Sequence, residues 1–296
     1  MNTILISGGT GLIGRHLSGL LKSKGYKVRL LSRESNPKNS FPTFLWNIDQ
    51  NTIDDSAFNG VNHIIHLTGA GVANKRWTNE RKNEILDSRV DSTNLLYDTV
   101  KRLEVPLKSF VAASATGYYG STTTDKIFKE TNKAGNDFLS NVCELWEIAI
   151  NQFEHLKIRT VILRTGIVLS KEGGALEKMT TPVITSIGNG KQFMPWIHID
   201  DLCELYIKGI EDNKFQGVYN AVSTEHITNF SFSKVLSKIV KKPFIPFMAP
   251  KVLLKIALGE MSSIILNGNR VSAEKIKQAG FKFKFEDLKK ALKNLL

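Results

Sequence analysis

Two spacings of apolar residues alternate along the first 165 positions. Asn2–Ser7, Lys27–Ser32, Phe41–Trp46, Val61–Leu67, Leu107–Ser114 and Ile158–Leu163 are short apolar runs of strand type. Between them, Arg15–Lys22, Asn79–Leu103 and Asn136–Phe153 carry apolar residues at helical spacing. Strands alternating with helices predict a parallel sheet covered on both faces through right-handed crossovers. After Arg164 the pattern loosens. Leu176–Ile187, Asp200–Ile210, Phe230–Val240, Pro250–Met261 and Phe285–Leu295 read as helices, the second of them capped by Asp200 and Asp201. Gly217–Ala221 reads as one more strand of the sheet. The expected class is α/β: a doubly wound parallel sheet over residues 1–165, with a smaller, mostly helical lobe over 166–296. Within that lobe, 191–222 is expected to return elements to the main sheet.

The junction between the first strand and the first helix carries the clearest chemistry. Its sequence is Gly8-Gly9-Thr10-Gly11-Leu12-Ile13-Gly14. A sharp turn, a close approach of phosphate to the backbone, and tight helix-on-strand packing each need a residue without a Cβ. The bare amides and dipole of the new helix favour phosphate charge. A Rossmann dinucleotide site follows, in which Gly8, Thr10, Gly11, Leu12, Ile13 and Gly14 cradle a pyrophosphate. The second strand ends in Ser32-Arg33, at the expected place of the adenosine ribose. A carboxylate there would favour NAD. A guanidinium pairs with a 2′-phosphate, so Arg33 points to NADP in preference to NAD. Leu67, Thr68, Gly69 and Ala70 end another strand with small residues that let the chain run beside the cofactor. Ser114-Ala115-Thr116-Gly117-Tyr118-Tyr119-Gly120 sets hydroxyls at a strand's carboxyl edge, where such sheets bind ligands, and Ser114 joins the cofactor set.

Composition narrows the remaining classes. The chain is 42% hydrophobic and 23% charged, as expected of a soluble globular protein. No apolar run approaches the ~20 residues that span a bilayer, so no membrane partner is expected. The first core strand begins at once, leaving no room for a signal segment, and Cys143 and Cys203 lack metal or redox spacing. A reduced, cytoplasmic setting is the expectation. The net charge of +12 raises nucleic acid as a partner, but the lysines are scattered and no basic stripe is interleaved with aromatics. A small anionic ligand is the better match, and no metal site is expected from the six histidines.

The glycine turn, His66-Leu67-Thr68-Gly69-Ala70, the Ser114–Gly120 segment and Trp196-Ile197-His198-Ile199-Asp200-Asp201 together resemble an extended short-chain dehydrogenase/reductase. Arg76-Trp77-Thr78, Ser88-Arg89-Val90, Trp146-Glu147, Leu163–Leu169, Pro195–His198 and Leu258-Gly259-Glu260-Met261 resemble its atypical, epimerase-like branch, across almost the whole chain. That resemblance implies an NADP-dependent oxidoreductase or epimerase acting on a small polar or nucleotide-linked substrate. It also implies a Tyr-x-x-x-Lys pair on the helix after Ser114, which moves a proton and binds the nicotinamide ribose. Aligned on Glu147, the pair becomes Leu139 and Cys143, which cannot do either. Tyr97 and Lys101 have the spacing but lie on the preceding helix, as a surface pair.

The proton carrier is therefore sought in Tyr118 or Tyr119 on the loop, or in Glu144 or Glu147 on the following helix, while Ser114 or Thr116 would supply the serine-type hydroxyl that the resemblance implies. Arg76, Lys82, Arg89 and Tyr119 are candidates for holding an anionic substrate, and His198 for fixing the lobe. The apolar stretch Pro250–Leu266 reads as a core helix, with a substrate cover or a homodimer contact as its other roles. Loss of the proton relay leaves a second function class open, a dinucleotide-binding redox sensor or assembly protein without turnover.

Overall fold

The computed structural model describes residues 2–34, 39–249 and 251–296. The elements of the first half run β1 (Thr3–Ser7), α1 (Leu12–Ser23), β2 (Lys27–Ser32), β3 (Thr43–Asn47), β4 (Thr52–Ile53), β5 (His63–His66), α2 (Asn79–Arg102), β6 (Ser109–Ala115), β7 (Ile127–Phe128), α3 (Phe138–Asn151) and β8 (Arg159–Thr165). The second half continues with β9 (Ile167–Leu169), α4 (Ala175–Met179), β10 (Ile184–Ile187), β11 (Trp196–His198), α5 (Ile199–Glu211), β12 (Gly217–Ala221), α6 (Asn229–Val240) and β13 (Phe244–Ala249). The chain closes with α7 (Lys251–Leu258), α8 (Ser263–Leu266), β14 (Arg270–Val271), α9 (Glu274–Gln278) and α10 (Leu288–Leu295).

Eight strands form the central sheet in the order β12-β8-β6-β5-β1-β2-β3-β4. All pairings are parallel except β3 with β4. The direction of winding reverses at β1, whose neighbours are β2 and β5, and this switch point opens a crevice at the strands' carboxyl ends. Parallel strands buried on both faces need apolar residues at nearly every position. β1 meets this demand, with all five residues buried. On one face Leu17 and Leu21 of α1 and Leu202, Leu205 and Tyr206 of α5 pack over Ile4, Ile6, Val111 and Leu163. On the other, Leu95 and Leu96 of α2 and Trp146, Ile150 and Phe153 of α3 pack over Leu5, Ile64, Phe110 and Ile162.

The chain leaves the sheet after β8, builds β9–β11, and returns through α5 to pair β12 in register with β8. The lobe has its own core, in which Leu176, Met194, Trp196, Phe232, Leu236, Phe285, Leu288 and Leu292 meet. Three expectations change here. Leu176–Ile187 is a short helix followed by β10, which pairs with β13 some sixty residues later. The cap of α5 is His198, whose ring nitrogen accepts the Asp200 N–H at 3.0 Å. Asp201 instead accepts the N–H groups of Lys284 and Phe285, tying the C-terminal segment to α5. Finally, α7 is no core helix, since Val252, Leu253 and Ile256 are each more than 60% exposed. Pro250, the first residue expected in that helix, lies outside the described residues.

Candidate active site

The glycine turn is built as a phosphate cradle. Gly8 adopts φ +73°, and a Cβ there would lie 2.8 Å from the Leu67 carbonyl carbon. A Cβ on Gly14 would meet Gly9 Cα at 2.5 Å and also strike Gly8 O. Only glycine lets α1 start this close to β1 and β5. Gly11 caps α1 without any side-chain hydrogen bond, which leaves the first-turn amides bare. Leu12 and Ile13 turn inward and pack against the core beneath.

A cavity of about 1030 Å³ opens over this turn. Gly8, Thr10, Gly11, Arg33, Leu67, Thr68, Gly69 and Ala70 line it, so it gathers most of the cofactor residues read from sequence. Leu12, Ile13, Gly14 and Ser114 are not in its wall. The Thr68 hydroxyl is buried without a partner among the described residues. A cradle with no room for a Cβ, bare helix amides, an orphan hydroxyl and a cavity of this size together fit a dinucleotide. Arg33 is exposed at the end of β2, and its charge adds, after those of Arg81 and Lys75, to holding the Glu84 carboxyl below its ordinary range. The wall also contains Trp46, Asn47, Asp49, Asp87, Ser88 and Asp91, none of which the sequence marked as a site residue, although Ser88 lies in a motif of the family resemblance. Trp46 and Asn47 end β3, Asp49 follows it, and Asp87, Ser88 and Asp91 lie on α2. Burial, then the charges of Asp87 and Asp49, raises the Asp91 carboxyl. Ser88 accepts the Ala70 N–H at 2.9 Å and so fixes the strand-end loop beside the cavity.

Beyond the cavity, α3 faces the turn Thr116–Tyr119. A Cβ on Gly117 would lie 3.5 Å from Leu139 Cβ and 3.8 Å from Cys143 Sγ. The two residues aligned with the expected tyrosine and lysine are therefore the ones that face this turn. Burial pushes the Cys143 thiol up to about 12, with the Glu147 charge adding to it, so the thiol stays neutral near pH 7.

Several catalytic candidates turn out to be committed elsewhere. Ser114 is 3% exposed and donates to Glu147 Oε1 at 2.6 Å. Arg164 grips the same carboxylate with Nε and Nη2, each at 2.8 Å. Its Nη1 donates to the Tyr119 hydroxyl at 3.0 Å, and that hydroxyl donates to Asn220 Oδ1 at 2.6 Å. The network thus joins β6, α3, β8, the 116–119 turn and β12. Burial opposes the Arg164 charge, but the Glu147 carboxylate outweighs it and holds the guanidinium above its ordinary range. Burial pushes Tyr119 up to about 12. Ser114 and Tyr119 are structural members of this network, and Glu144 is exposed and lines no part of the cavity. Thr116 and Tyr118 remain half-buried on the turn, also outside the cavity wall, and the Arg164 guanidinium lies 3.3 Å from the Tyr118 ring centroid.

Of the basic candidates, Arg76, just ahead of α2, lies against Gly259, and Lys82 on α2 pairs with Glu260, so both tie this segment to the lobe. Arg89 is largely enclosed between Gly69 and Trp146. His198 stacks on Phe285 at 3.8 Å and bonds Asn294, which is a tie within the lobe. No group of three metal-ligating side chains occurs, and no helix is long and apolar enough to cross a membrane, among the described residues.

Residues 4–221 match the model of the NAD dependent epimerase/dehydratase family. Residues 249–295 match a domain of unknown function, DUF1731. An epimerase family protein of Staphylococcus aureus is 33% identical over 300 residues, covering 100% of this chain and 99% of that protein. The epimerase family protein SDR39U1 of Mus musculus is 32% identical, covering 99% of each. The crystal structure of human SDR39U1 (isoform 2) with NADPH superimposes with a TM-score of 0.86 at 28% identity, covering 99% of this chain and 98% of that one. A UDP-N-acetylglucosamine 4-epimerase from Bacillus cereus shares the fold, with a TM-score of 0.79 at 16% identity, over 100% of this chain and 98% of its own.

Proposed function

This chain belongs to the NAD dependent epimerase/dehydratase family, and on that premise we propose that it is an NADP(H)-dependent oxidoreductase or epimerase whose proton carrier is Tyr118. As a member of that family with an extended short-chain dehydrogenase/reductase fold, it is an NAD(P)-dependent enzyme. When bound, the dinucleotide supplies reversible two-electron transfer. Gly8, Thr10, Gly11 and the opening amides of α1 would hold the diphosphate, with Gly14 giving the helix its close start. Arg33 would take the 2′-phosphate, as a guanidinium suits, and NADPH in the human relative agrees with that choice.

The observation that carries the reading is the cavity that runs from Arg33 past the glycine turn to Ala70. Arg33→Ala should weaken NADPH by about tenfold or more while leaving NADH nearly unchanged, in a titration followed by nicotinamide fluorescence. Equal losses for both would refute the phosphate-reading role.

Tyr118 is the remaining phenol on the 116–119 turn whose hydroxyl is not taken up by the buried network. A hydroxyl there can give or take the proton that Leu139 and Cys143 cannot, and the Arg164 guanidinium on its ring face holds the ring in place. The substrate is a small polar or nucleotide-linked molecule. Tyr118→Phe should lower kcat by roughly 10²–10⁴ with NADPH affinity unchanged. NADPH binding with no turnover on a panel of carbonyls and nucleotide sugars would instead favour a redox sensor.

A further inference from the structure

Among the described residues, Arg89 is a cation without a counter-charge. It projects from the middle of α2, and its hydrogen bond is to its own helix, from Nη1 to Ile85 O at 2.7 Å. The charged or titratable groups that bear on it are Cys143 and His66, both neutral near pH 7, and Arg81, which has the same sign. Burial holds the guanidinium below the ordinary arginine range. An enclosed cation is costly unless something pairs with it. Ion pairs among the described residues satisfy Arg81, Arg102 and Arg164, but not Arg89.

The surroundings say where the partner enters. The guanidinium lies over the Trp146 ring, 5.2 Å from its centroid, and against the backbone of Gly69. A Cβ on Gly69 would lie 2.9 Å from Arg89 Cζ and 3.0 Å from Nη2. Gly69 and Ser88, the neighbour of Arg89 in sequence, both line the large cavity. Arg33 stands at the end of β2, on one side of β1, whereas Gly69 follows β5 on the other. A dinucleotide with its adenosine at Arg33 therefore brings its second half to Gly69.

We infer that Arg89 is a cofactor-binding residue for the nicotinamide half of the dinucleotide, supplying from α2 the fixed positive charge that Cys143 on α3 does not. The inference rests on the dinucleotide reading above and moves Arg89 from the substrate to the cofactor. Gly69 is then glycine because the guanidinium occupies the place of its side chain. The ligand groups it would meet are phosphate oxygen and ribose hydroxyl on the nicotinamide side, which a planar cation with several N–H donors suits.

The test compares two ligands by titration calorimetry on the intact protein. NADPH carries both halves, and 2′,5′-ADP carries only the adenosine half. Arg89→Met should weaken NADPH by about tenfold or more and leave 2′,5′-ADP within about twofold. Arg89→Lys should recover part of the loss, and Gly69→Ala should repeat it by pushing the guanidinium aside. NADPH affinity in Arg89→Met within about twofold of the parent would overturn the assignment. So would an equal loss for both ligands, which would mean a role in the scaffold. Failure of the parent protein to bind either ligand would instead remove the dinucleotide reading, a result distinct from the other two.

Discussion

The Glu147–Arg164 pair offers the most demanding test of how this site is held. Both side chains are less than 10% exposed, and three hydrogen bonds converge on one carboxylate, two from Arg164 and one from Ser114. Glu147→Gln keeps the shape and removes the charge, leaving a buried guanidinium unpaired. Breaking a buried pair in this way costs about 3–5 kcal/mol. For a protein of this size that corresponds to a fall in Tm on the order of 10 °C. The surface offers an internal control. Arg102 grips Asp55 with two bonds of 2.6 and 2.8 Å, but these side chains are 55% and 50% exposed. Water screens that pair, so Asp55→Asn should leave the urea midpoint close to that of the parent despite the similar geometry. Urea unfolding of Glu147→Gln, Arg164→Met and the double variant completes the cycle. Because each single change strands the other partner, the double variant should lose less than the sum of the singles, by about 2 kcal/mol or more. Additive losses, or a Glu147→Gln protein within about 1 kcal/mol of the parent, would refute the claim that this pair braces the 116–119 turn.

Other expectations follow from single observations. His66 is fully buried, bonded to Ser7 at 2.6 Å and to Thr93 at 3.0 Å, and burial lowers it to about 3; His63 is lowered to about 4 by burial and then by the Lys108 charge. Because both take up protons more readily when unfolded, their contribution is complete above about pH 6.5 and is lost as the pH falls, by up to about 1.4 kcal/mol per unit for each, until about pH 4 for His63 and pH 3 for His66. Urea midpoints at pH 7 and pH 5 should show the fall, and His66→Gln should flatten it; an unchanged slope would contradict the assignment. Gly14→Ala drives a Cβ into Gly9 and should abolish NADPH binding or the fold, as read by calorimetry and circular dichroism. Cys143→Lys would not restore a proton relay. It sets an ammonium in a buried position near Arg89 and should lower stability by at least about 3 kcal/mol in urea unfolding. His198→Ala removes the α5 cap and should lower stability by about 1 kcal/mol in the same assay, a further loss reporting the Phe285 stack.

The alternation of strand and helix through β8 was legible because each element's pattern is local and the central strands β1, β5, β6 and β8 are buried on both faces. The glycine turn was legible for the same reason, since the turn, the cradle and the helix start occupy seven consecutive residues. What escaped depends on distant partners. The Leu176–Ile187 stretch carries apolar residues that serve a helix or a strand equally well, and only pairing with Phe244–Ala249 decides for β10. Asp200 and Asp201 look like caps by type, but the His198 ring is nearer to the amide that needs an acceptor. Ser114 and Tyr119 have the residue types of a catalytic centre, yet Glu147, Arg164 and Asn220, 33, 45 and 101 residues away along the pairs they form, claim their hydroxyls. Trp46–Asp49 and the acidic face of α2 entered the cavity wall through topology alone.

The late return of β12 has a consequence for synthesis. While a ribosome extends the chain, β8 emerges with its outer edge open, and no strand can close it until residue 221 has left the exit tunnel. The same interval leaves Ile4, Ile6 and Val111 without the cover of Leu202, Leu205 and Tyr206. The nascent nucleotide-binding half therefore spends the translation of some fifty residues as a sticky, half-clothed sheet, which is the interval when a holdase chaperone would engage it and a stalled or truncated product would aggregate.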